Sequence, residues 1–310
     1  MATGDGLLVR LRPRAGRLTA GEARALAARS EALGRGQIEL TSRGSLQLRG
    51  FTEHSARAFA GLAVAAGLAD PDPLRERIRS AILVPPLADS GTALFAEALA
   101  AALAADPQLR ALPAKLLLRL DAPRGLSLAS LAADLAFAPQ CDPPAVAGAL
   151  ARIDAWLRDQ PPRLQPAAPA PTVIGPLHGH AAFGLGVPFG ALPAARLADC
   201  ADLAAAAGDG LLHLTPWRAV LLGGVRHLSP DAIPAGLIAD PDDPRLRLSA
   251  CIGLPGCSRA TSDTRADALA FAPSLPPGAH LHVAGCAKLC GRPPSADLVL
   301  VAAAGRYDRL

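Results

Sequence analysis

Leu40-Thr-Ser-Arg-Gly-Ser-Leu-Gln-Leu48 and Leu214-Thr-Pro-Trp-Arg-Ala-Val-Leu-Leu222 are two copies of one pattern, and this repeat decides the fold. In each copy an apolar run enters a turn that begins with threonine, and a second apolar run follows, which is typical of a β-hairpin. About half of the chain separates the copies. A pattern that returns at such a distance predicts a duplicated protein with a pseudo-twofold axis. A cleft between two such halves is a natural place for a large ligand.

The first hairpin lies within a strand–helix–hairpin–helix order. Residues 6–12 alternate apolar and polar side chains, as a strand does. The pattern predicts a helix over 18–33, with Thr19 as its N-cap and Glu22 completing a capping box. A second helix is predicted over 51–67. This order is half of a ferredoxin-like α+β unit.

The same order returns after a stretch at 161–172 that is rich in Pro and Ala and is typical of a linker. There the pattern predicts a strand over 182–190 and an Ala-rich helix over 192–207. Before the linker, an apolar run predicts a strand over 112–121. We therefore predict an α+β protein made of ferredoxin-like half-domains at 1–72 and 173–240 and of α/β halves at 73–160 and 241–310.

The composition excludes several classes of protein. Of the 310 residues, 51% are hydrophobic and 19% are charged, which is typical of a soluble globular chain. A net charge of +4 is too small to predict a nucleic-acid or membrane partner, and an aromatic content of 3% argues against a base-stacking platform. The N-terminal residues lack the apolar core of a signal peptide, and no run is long enough to span a bilayer. We expect a cytoplasmic protein.

Four cysteines near the C-terminus have the spacing of an iron–sulfur site. They form Cys251-Ile-Gly-Leu-Pro-Gly-Cys257 and Cys286-Ala-Lys-Leu-Cys290, a C-x5-C and a C-x3-C pair. Four thiolates on two Gly- and Pro-rich loops can surround a [4Fe–4S] cluster. Structural zinc is an alternative, but its ligands usually follow shorter spacings. A disulfide is the other alternative, and nothing in the sequence marks the chain as secreted.

These motifs resemble the sirohaem-dependent sulfite and nitrite reductases. The duplicated hairpins, the Thr-x-Arg turn and the Gly-Cys-x-x-x-Cys-x-Arg-Pro segment at 285–293 carry the resemblance. Within that superfamily the chain is similar to the precorrin-3B synthase family, at 215–218, 243–251, 256–267 and 285–288. The resemblance covers nearly the whole chain and is weak over 87–171. It implies a duplicated nitrite/sulfite reductase-like architecture in which the α/β halves bind the cluster and the substrate.

The resemblance also implies an activity and its cofactors. In this family Cys251, Cys257, Cys286 and Cys290 would hold one [4Fe–4S] cluster, and a non-haem iron is an optional second metal. The enzyme would use dioxygen and an unidentified electron donor to oxidise the tetrapyrrole precorrin-3A. It would hydroxylate C-20 and close a γ-lactone with the ring A acetate. A metal-free macrocycle would thus occupy the place that sirohaem takes in the reductases.

The resemblance further implies a set of substrate-binding residues. A precorrin carries acetate and propionate carboxylates, which guanidinium groups bind in bidentate fashion. The family's basic and polar substrate contacts fall here on Arg10, Arg12, Arg43, Gln47, Arg49, Arg79 and Lys115.

The chain departs from the reductases at two of these places. Sulfite reductases have a second lysine two residues beyond the position of Lys115, where this chain has Leu117. The loss of one cation weakens the interpretation that this chain is a reductase acting on a small anion such as sulfite. Ser80 replaces the asparagine that usually follows the arginine at position 79, so the assignment of Arg79 depends on less of the motif.

Two alternative functions stay open, a sirohaem-dependent sulfite or nitrite reductase and a non-catalytic electron-transfer protein. Sirohaem would be the cofactor in the first case, and macrocycle binding would exclude the second. His178 and His180 are a candidate ligand pair for a second iron, and His280 and His282 share one strand face without an assigned role. Trp217 could pack on the macrocycle or fill the core. No catalytic residue is predicted.

Overall fold

The computed structural model of the chain describes residues 2–109, 112–122, 124–139, 142–303 and 305–310. No helix in these residues is long and apolar enough to cross a bilayer. The first ferredoxin-like half contains β1 (Ala2–Thr3), β2 (Gly6–Leu11), β3 (Arg17–Thr19), α1 (Ala20–Leu33), β4 (Gln37–Leu40), β5 (Leu46–Phe51) and α2 (Glu53–Ala65). The first α/β half contains α3 (Pro73–Ala81), β6 (Ile82–Leu83), α4 (Ser90–Ala105), β7 (Leu118–Leu120), β8 (Leu135–Phe137) and α5 (Pro143–Asp159).

The second half of the chain has the same order of parts. Its ferredoxin-like half contains β9 (Gly175–Pro176), β10 (Ala182–Gly186), β11 (Ala191–Pro193), α6 (Ala194–Ala207), β12 (Leu211–Leu214) and β13 (Ala219–Gly223). Its α/β half contains β14 (Leu248–Ala250), α7 (Thr264–Phe271), β15 (Leu281–Ala284), β16 (Leu298–Ala303) and β17 (Arg306–Arg309). The predicted α+β class is confirmed, and the limits of the four parts stay a prediction.

The two ferredoxin-like halves exchange strands. The first sheet has the order β1-β2-β5-β4-β11, so its last strand comes from the second half of the chain. The second sheet has the order β3-β12-β13-β10-β9, so its first strand comes from the first half. Helices α1 and α6 pack on each other, and both halves contribute leucines to one hydrophobic core. Neither half therefore buries its apolar surface without the other.

The duplicated hairpins have equivalent hydrogen bonds. The hydroxyl of Thr41 accepts the backbone N–H groups of Arg43 and Ser45, at 3.3 and 3.1 Å. The hydroxyl of Thr215 likewise accepts the N–H groups of Trp217 and Ala219, both at 3.2 Å. Each turn thus satisfies its backbone donors with the threonine that opens the repeated motif.

The α/β halves form two mainly parallel sheets. In the first, β6, β7 and β8 are parallel, and α4 packs between α3 and α5. In the second, β14, β15 and β16 are parallel and β17 closes the sheet antiparallel, with α7 packed on β14 and β15.

The strand predicted over 112–121 is shorter than expected. Only Leu118–Leu120 forms a strand, because the preceding residues make a turn in which the N–H of Leu116 donates to the carbonyl of Pro113 at 3.0 Å. Proline lacks the N–H that a strand needs at this point. Lys115 therefore lies exposed in the turn, ahead of the strand.

Candidate cluster and substrate site

The two cysteine loops begin at the same edge of the C-terminal sheet. Cys251 follows β14 directly, and Cys286 lies two residues after β15. Since β14 and β15 are parallel neighbours, their carboxyl ends meet at one edge, where open α/β sheets bind ligands. The N–H of Cys251 donates to the carbonyl of Val283 at 3.0 Å, which holds the loops side by side.

One backbone N–H contacts the sulfur of Cys251. The N–H of Gly285 donates to Sγ of Cys251 at 3.1 Å, and the hydroxyl of Thr264 donates to the Cys251 carbonyl at 2.7 Å. Gly285 packs so closely that a Cβ added there would lie 2.7 Å from the Cβ of Ala260. A thiolate is stabilised by such N–H donors, and hydrogen bonds to sulfur tune iron–sulfur sites. The two loops thus contact each other at Cys251 through Gly285.

The side chains of the four cysteines differ in exposure. All four are free thiols, with Cys251, Cys257 and Cys286 partly buried and Cys290 exposed. Among the described residues, no three or more His, Cys, Asp or Glu side chains are grouped as a single metal ion would require. Structural zinc needs four ligands around one ion. A cubane cluster presents a separate iron to each thiolate, so its ligands are spread more widely.

The N-terminal hairpin touches the first cysteine loop. A Cβ added to Gly4 would lie 2.6 Å from the nitrogen of Ser258 and 3.0 Å from Cα of Cys257, so only glycine fits there. Strand β2 begins two residues later and leads away from the loop towards Arg10. The turn between β1 and β2 therefore lies directly against the first cysteine loop.

The first sheet places predicted substrate residues on one face. Arg10 on β2 lies opposite Gln47 on β5, which lies opposite Glu39 on β4. Residues in such register point to the same side of a sheet. Arg49, two residues beyond Gln47 on β5, lies 3.5 Å from Glu39, and Arg12 directly follows the end of β2. The alternate leucines of β5 point into the core.

Arg49 is occupied by acidic partners within the protein. Its Nε and Nη2 donate to the two carboxylate oxygens of Asp5 at 3.0 and 2.8 Å, and its Nη1 lies 3.5 Å from Glu39. Glu39 also accepts from Arg265 at the start of α7. Burial by itself raises the pKa of Asp5, but the hydrogen bonds from Arg49 and Thr3 lower that pKa overall. This network fastens the cysteine-bearing half to the first sheet.

Arg12 and Arg43 bind backbone carbonyls. Arg12 is buried and donates to the carbonyls of Ser80, Ile82 and Arg43. Arg43 donates to the carbonyl of Lys115 at 2.8 Å. Burial, followed by the charges of Arg43 and Arg10, lowers the pKa of Arg12 to about 9. The predicted residues Arg10, Arg12 and Arg43 thus line one cleft, and Lys115 contributes its backbone carbonyl beside it.

Arg79 lies beside Arg12 in a neighbouring pocket and makes other contacts. It donates to the carboxylate of Glu76 and, at 2.9 Å, to the carbonyl of Leu68. These partners lie on the side of α3 that faces α2 and the following loop. Of the predicted basic residues in the described chain, Arg49 and Arg79 are the two that pair with carboxylates.

The other residues considered in the sequence differ in their contacts and their burial. Trp217 donates from Nε1 to the hydroxyl of Ser130 at 3.1 Å, so it bridges the second hairpin and the first α/β half. His178 is exposed. His282 is fully buried beside Ser249, 2.9 Å from Nδ1, and burial lowers the His282 pKa to about 4. Burial raises the pKa of Cys200 to about 12, while Cys141, a candidate incidental thiol, lies outside the described residues.

Comparison with known proteins decides the family. The chain is 32% identical to a precorrin-3B synthase from Sinorhizobium sp over 372 aligned positions, which cover 99% of this chain and 80% of that protein. The chain belongs to the precorrin-3B synthase family. Residues 1–66 and 177–227 match the family described as the nitrite/sulfite reductase ferredoxin-like half domain, one match in each copy of the repeat.

Other relatives of this synthase family member match over less of its length. It is 34% identical to a ferredoxin–nitrite reductase from Synechococcus elongatus over 40% of the chain and 27% of that protein. The corresponding chloroplastic enzyme of Zea mays is 33% identical over 37% of the chain and 22% of that protein. The structure of Mycobacterium tuberculosis NirA superposes with a TM-score of 0.62 at 17% identity, over 97% of this chain and 73% of that one. That likeness confirms the fold.

Sequence reasoning did not predict several residues of this synthase-family site. Asp5, Glu39 and Arg265 form the ion-pair network, and Arg77 lines the arginine cleft. Glu39 and Arg265 are 226 residues apart, so no local pattern relates them. The signal that could have found Glu39 was its polar position between two apolar residues of a strand, which placed it on the face of Gln47.

Proposed function

We propose that this chain is an iron–sulfur monooxygenase that converts precorrin-3A into a C-20-hydroxylated γ-lactone, with dioxygen and an electron donor as co-reactants, in the cytoplasm. Family membership supports the proposal, and fold by itself would not. The observation that carries it is the contact of the β1–β2 turn with the first cysteine loop, from which β2 leads to the arginines. From Gly6 to Arg10, β2 spans about 13 Å at ~3.3 Å per residue. A large macrocycle bridges that span and a small anion does not.

We propose that Cys251, Cys257, Cys286 and Cys290 hold one [4Fe–4S] cluster. When bound, the cluster supplies one-electron transfer. The chain contributes the Gly285 N–H to the sulfur of Cys251, which stabilises the thiolate form of this ligand. We assign no ligands to a second iron, because the described residues contain no group of three metal-binding side chains.

We propose that the predicted substrate residues divide into two roles. Arg10, Arg43, Gln47 and Lys115 keep donors available for substrate carboxylates. Arg12 holds the turn at Arg43 through its carbonyl contacts. Arg49 and Arg79 already bind the carboxylates of Asp5 and Glu76, so they build the site rather than bind the substrate.

Anaerobic purification with iron and sulfide analysis tests the cluster and the alternatives. We expect about four irons and four sulfides per chain, a broad cluster absorbance and no sirohaem bands. Cys251→Ser should lose the cluster, whereas Cys200→Ser, which changes a buried thiol in the core, should retain it. Sirohaem bands would instead support a sulfite or nitrite reductase. A cluster without any tetrapyrrole binding would support an electron-transfer protein.

A further inference from the structure

A small cleft lies beside the polar face of the first sheet. Its volume is about 70 Å³, and its walls come from β2, the turn at Arg43, the end of α3 and the turn before β7. Four arginines line it, Arg10, Arg12, Arg43 and Arg77, together with the hydroxyls of Ser45 and Ser80. None of its lining residues is acidic. The cleft is therefore a site of concentrated positive charge.

Arg12 and Arg43 build the walls of this cleft. Arg12 joins the carbonyl of Arg43 to the carbonyl of Ser80 at the end of α3. Arg43 in turn holds the carbonyl of Lys115. Their guanidinium groups fix α3 against the sheet, and this brings Arg77, one turn before Ser80, to the rim.

No carboxylate lines the cleft, although Asp134 acts on Arg43 and Glu76 acts on Arg12 from outside it. Arg12 is 5% exposed, and burial and the nearby cations lower its pKa. Burial and then the charge of Arg163 lower the pKa of Arg43. The exposed guanidinium groups of Arg10 and Arg77 have no hydrogen-bonding or ion-pair partner among the residues that the structure describes. Like charges held together in this way attract a negatively charged ligand.

The other arginines of α3 serve as an internal comparison. Arg75 lies 3.9 Å from Asp72, and Arg79 pairs with Glu76. Arg77 lies between them in sequence and points to the cleft instead of to an acid of its own helix. Two guanidinium groups without partners, on β2 and α3, thus face the same small space.

We propose that Arg77 is a substrate-binding residue and that it closes the cleft, opposite Arg10, around one carboxylate side arm of the tetrapyrrole. The inference rests on the proposed function. A cavity of about 10–15 Å³ holds one water molecule, so this cleft has room for a short carboxylate arm and excludes the macrocycle. The ring therefore lies outside, over the polar face, and the arm fixes its orientation. A bidentate guanidinium–carboxylate contact provides that specificity.

Binding of uroporphyrin, a tetrapyrrole with acetate and propionate arms, tests this assignment on the cluster-containing protein. We expect Arg77→Gln to weaken binding about tenfold or more, as the loss of a charged hydrogen bond does. Arg77→Lys keeps the positive charge but loses the two parallel donors of the guanidinium group. Its affinity for uroporphyrin should therefore lie between those of the wild type and Arg77→Gln. Arg75→Gln, on the same helix, should bind as the wild type does. Thermal unfolding of each variant checks that the fold is intact.

Three results would contradict the inference in distinguishable ways. Equal uroporphyrin affinity of Arg77→Gln and Arg75→Gln would remove Arg77 from the substrate site. Sulfate binding, measured on the same variants, gives the second result. If Arg77→Gln lost affinity for sulfate but kept its affinity for uroporphyrin, the cleft would be a site for free small anions. Failure of the wild type to bind uroporphyrin at all would contradict the proposed function itself.

Discussion

Arg49 is expected from the family resemblance to bind substrate, and in the structure it contacts acids of the protein itself. It lies on β5, its side chain is 7% exposed, and it pairs with Asp5 and Glu39. A buried ion pair adds little net stability, yet removing one partner leaves the other charge buried without compensation. Arg49 should therefore affect folding before it affects substrate binding.

Arg49→Gln should lower the free energy of unfolding by about 3 kcal/mol, within the range for broken buried pairs. The exposed pair of Arg24 and Asp202 is the control, and Arg24→Gln should cost less than about 1 kcal/mol. Denaturant unfolding of both variants measures the difference. If Arg49→Gln unfolds like the wild type and loses only tetrapyrrole affinity, Arg49 binds substrate instead.

His213 on β12 gives the fold a dependence on pH. It is 6% exposed, and burial lowers its pKa to about 4, well below the value of about 6.5 in an unfolded chain. As the pH falls from 6.5 towards 4, His213 becomes protonated in the unfolded state but stays neutral in the folded state. The stability that neutral His213 provides is thus present above pH 6.5 and lost over this window.

The wild type should lose about 2 kcal/mol of stability through His213 between pH 8 and pH 5. His213→Gln should reduce the pH-dependent loss by that amount, whatever its effect at pH 8. His54→Gln, at an exposed position, should leave the pH dependence unchanged. Unfolding curves at the two pH values measure the free energy of unfolding. If His213→Gln lost as much stability between pH 8 and pH 5 as the wild type does, His213 would not be the source of the pH dependence.

Local residue chemistry was predictable, and long-range pairing was not. The capping box of Thr19 and Glu22 follows from residues three apart, and the structure has both of its hydrogen bonds. The cysteine spacing likewise indicates two loops. The pairing of Arg49 with Asp5 depends on where the turn between β1 and β2 meets β5, and the spacing of residues along the chain does not show that.

At the level of elements, the two copies of the repeat differ in how their first helices begin. Helix α1 has the capping box at Thr19, whereas α6 follows Pro193 without a side-chain cap. Each helix packs on the other, so tertiary contacts stabilise the uncapped copy. The sequence predicted both helices from their apolar pattern. It did not predict the exchange of β3 and β11, since such short strands gain their identity from the neighbour they pair with.

Thr19→Ala should lower the free energy of unfolding by about 1 kcal/mol, because the N–H of Glu22 loses its acceptor at the start of α1. Thr172→Ala, at an exposed position outside regular structure, should have almost no effect. Chemical denaturation of the two variants makes the comparison. Equal stability of both would show that the contact between α1 and α6 sets the helix start without the cap.

At the level of the whole molecule, duplication created a face with two different ends. One end has the cysteine loops of the second α/β half, and the other has the arginine cleft against the first. The network of Asp5, Arg49, Glu39 and Arg265 holds these ends at a fixed separation. The four-part order was predictable from the repeat and the linker. The sequence did not predict which arginines keep free donors, because that depends on contacts between the four parts.

Turnover of precorrin-3A under isotopically heavy dioxygen tests the central claim most directly. The cluster-containing protein, supplied with a reductant, should yield a tetrapyrrole that is heavier by one labelled oxygen atom, as mass spectrometry of the product shows. Cys251→Ser should yield none. Unchanged precorrin-3A in the presence of an intact cluster, or reduction of sulfite or nitrite by the same preparation, would contradict the account.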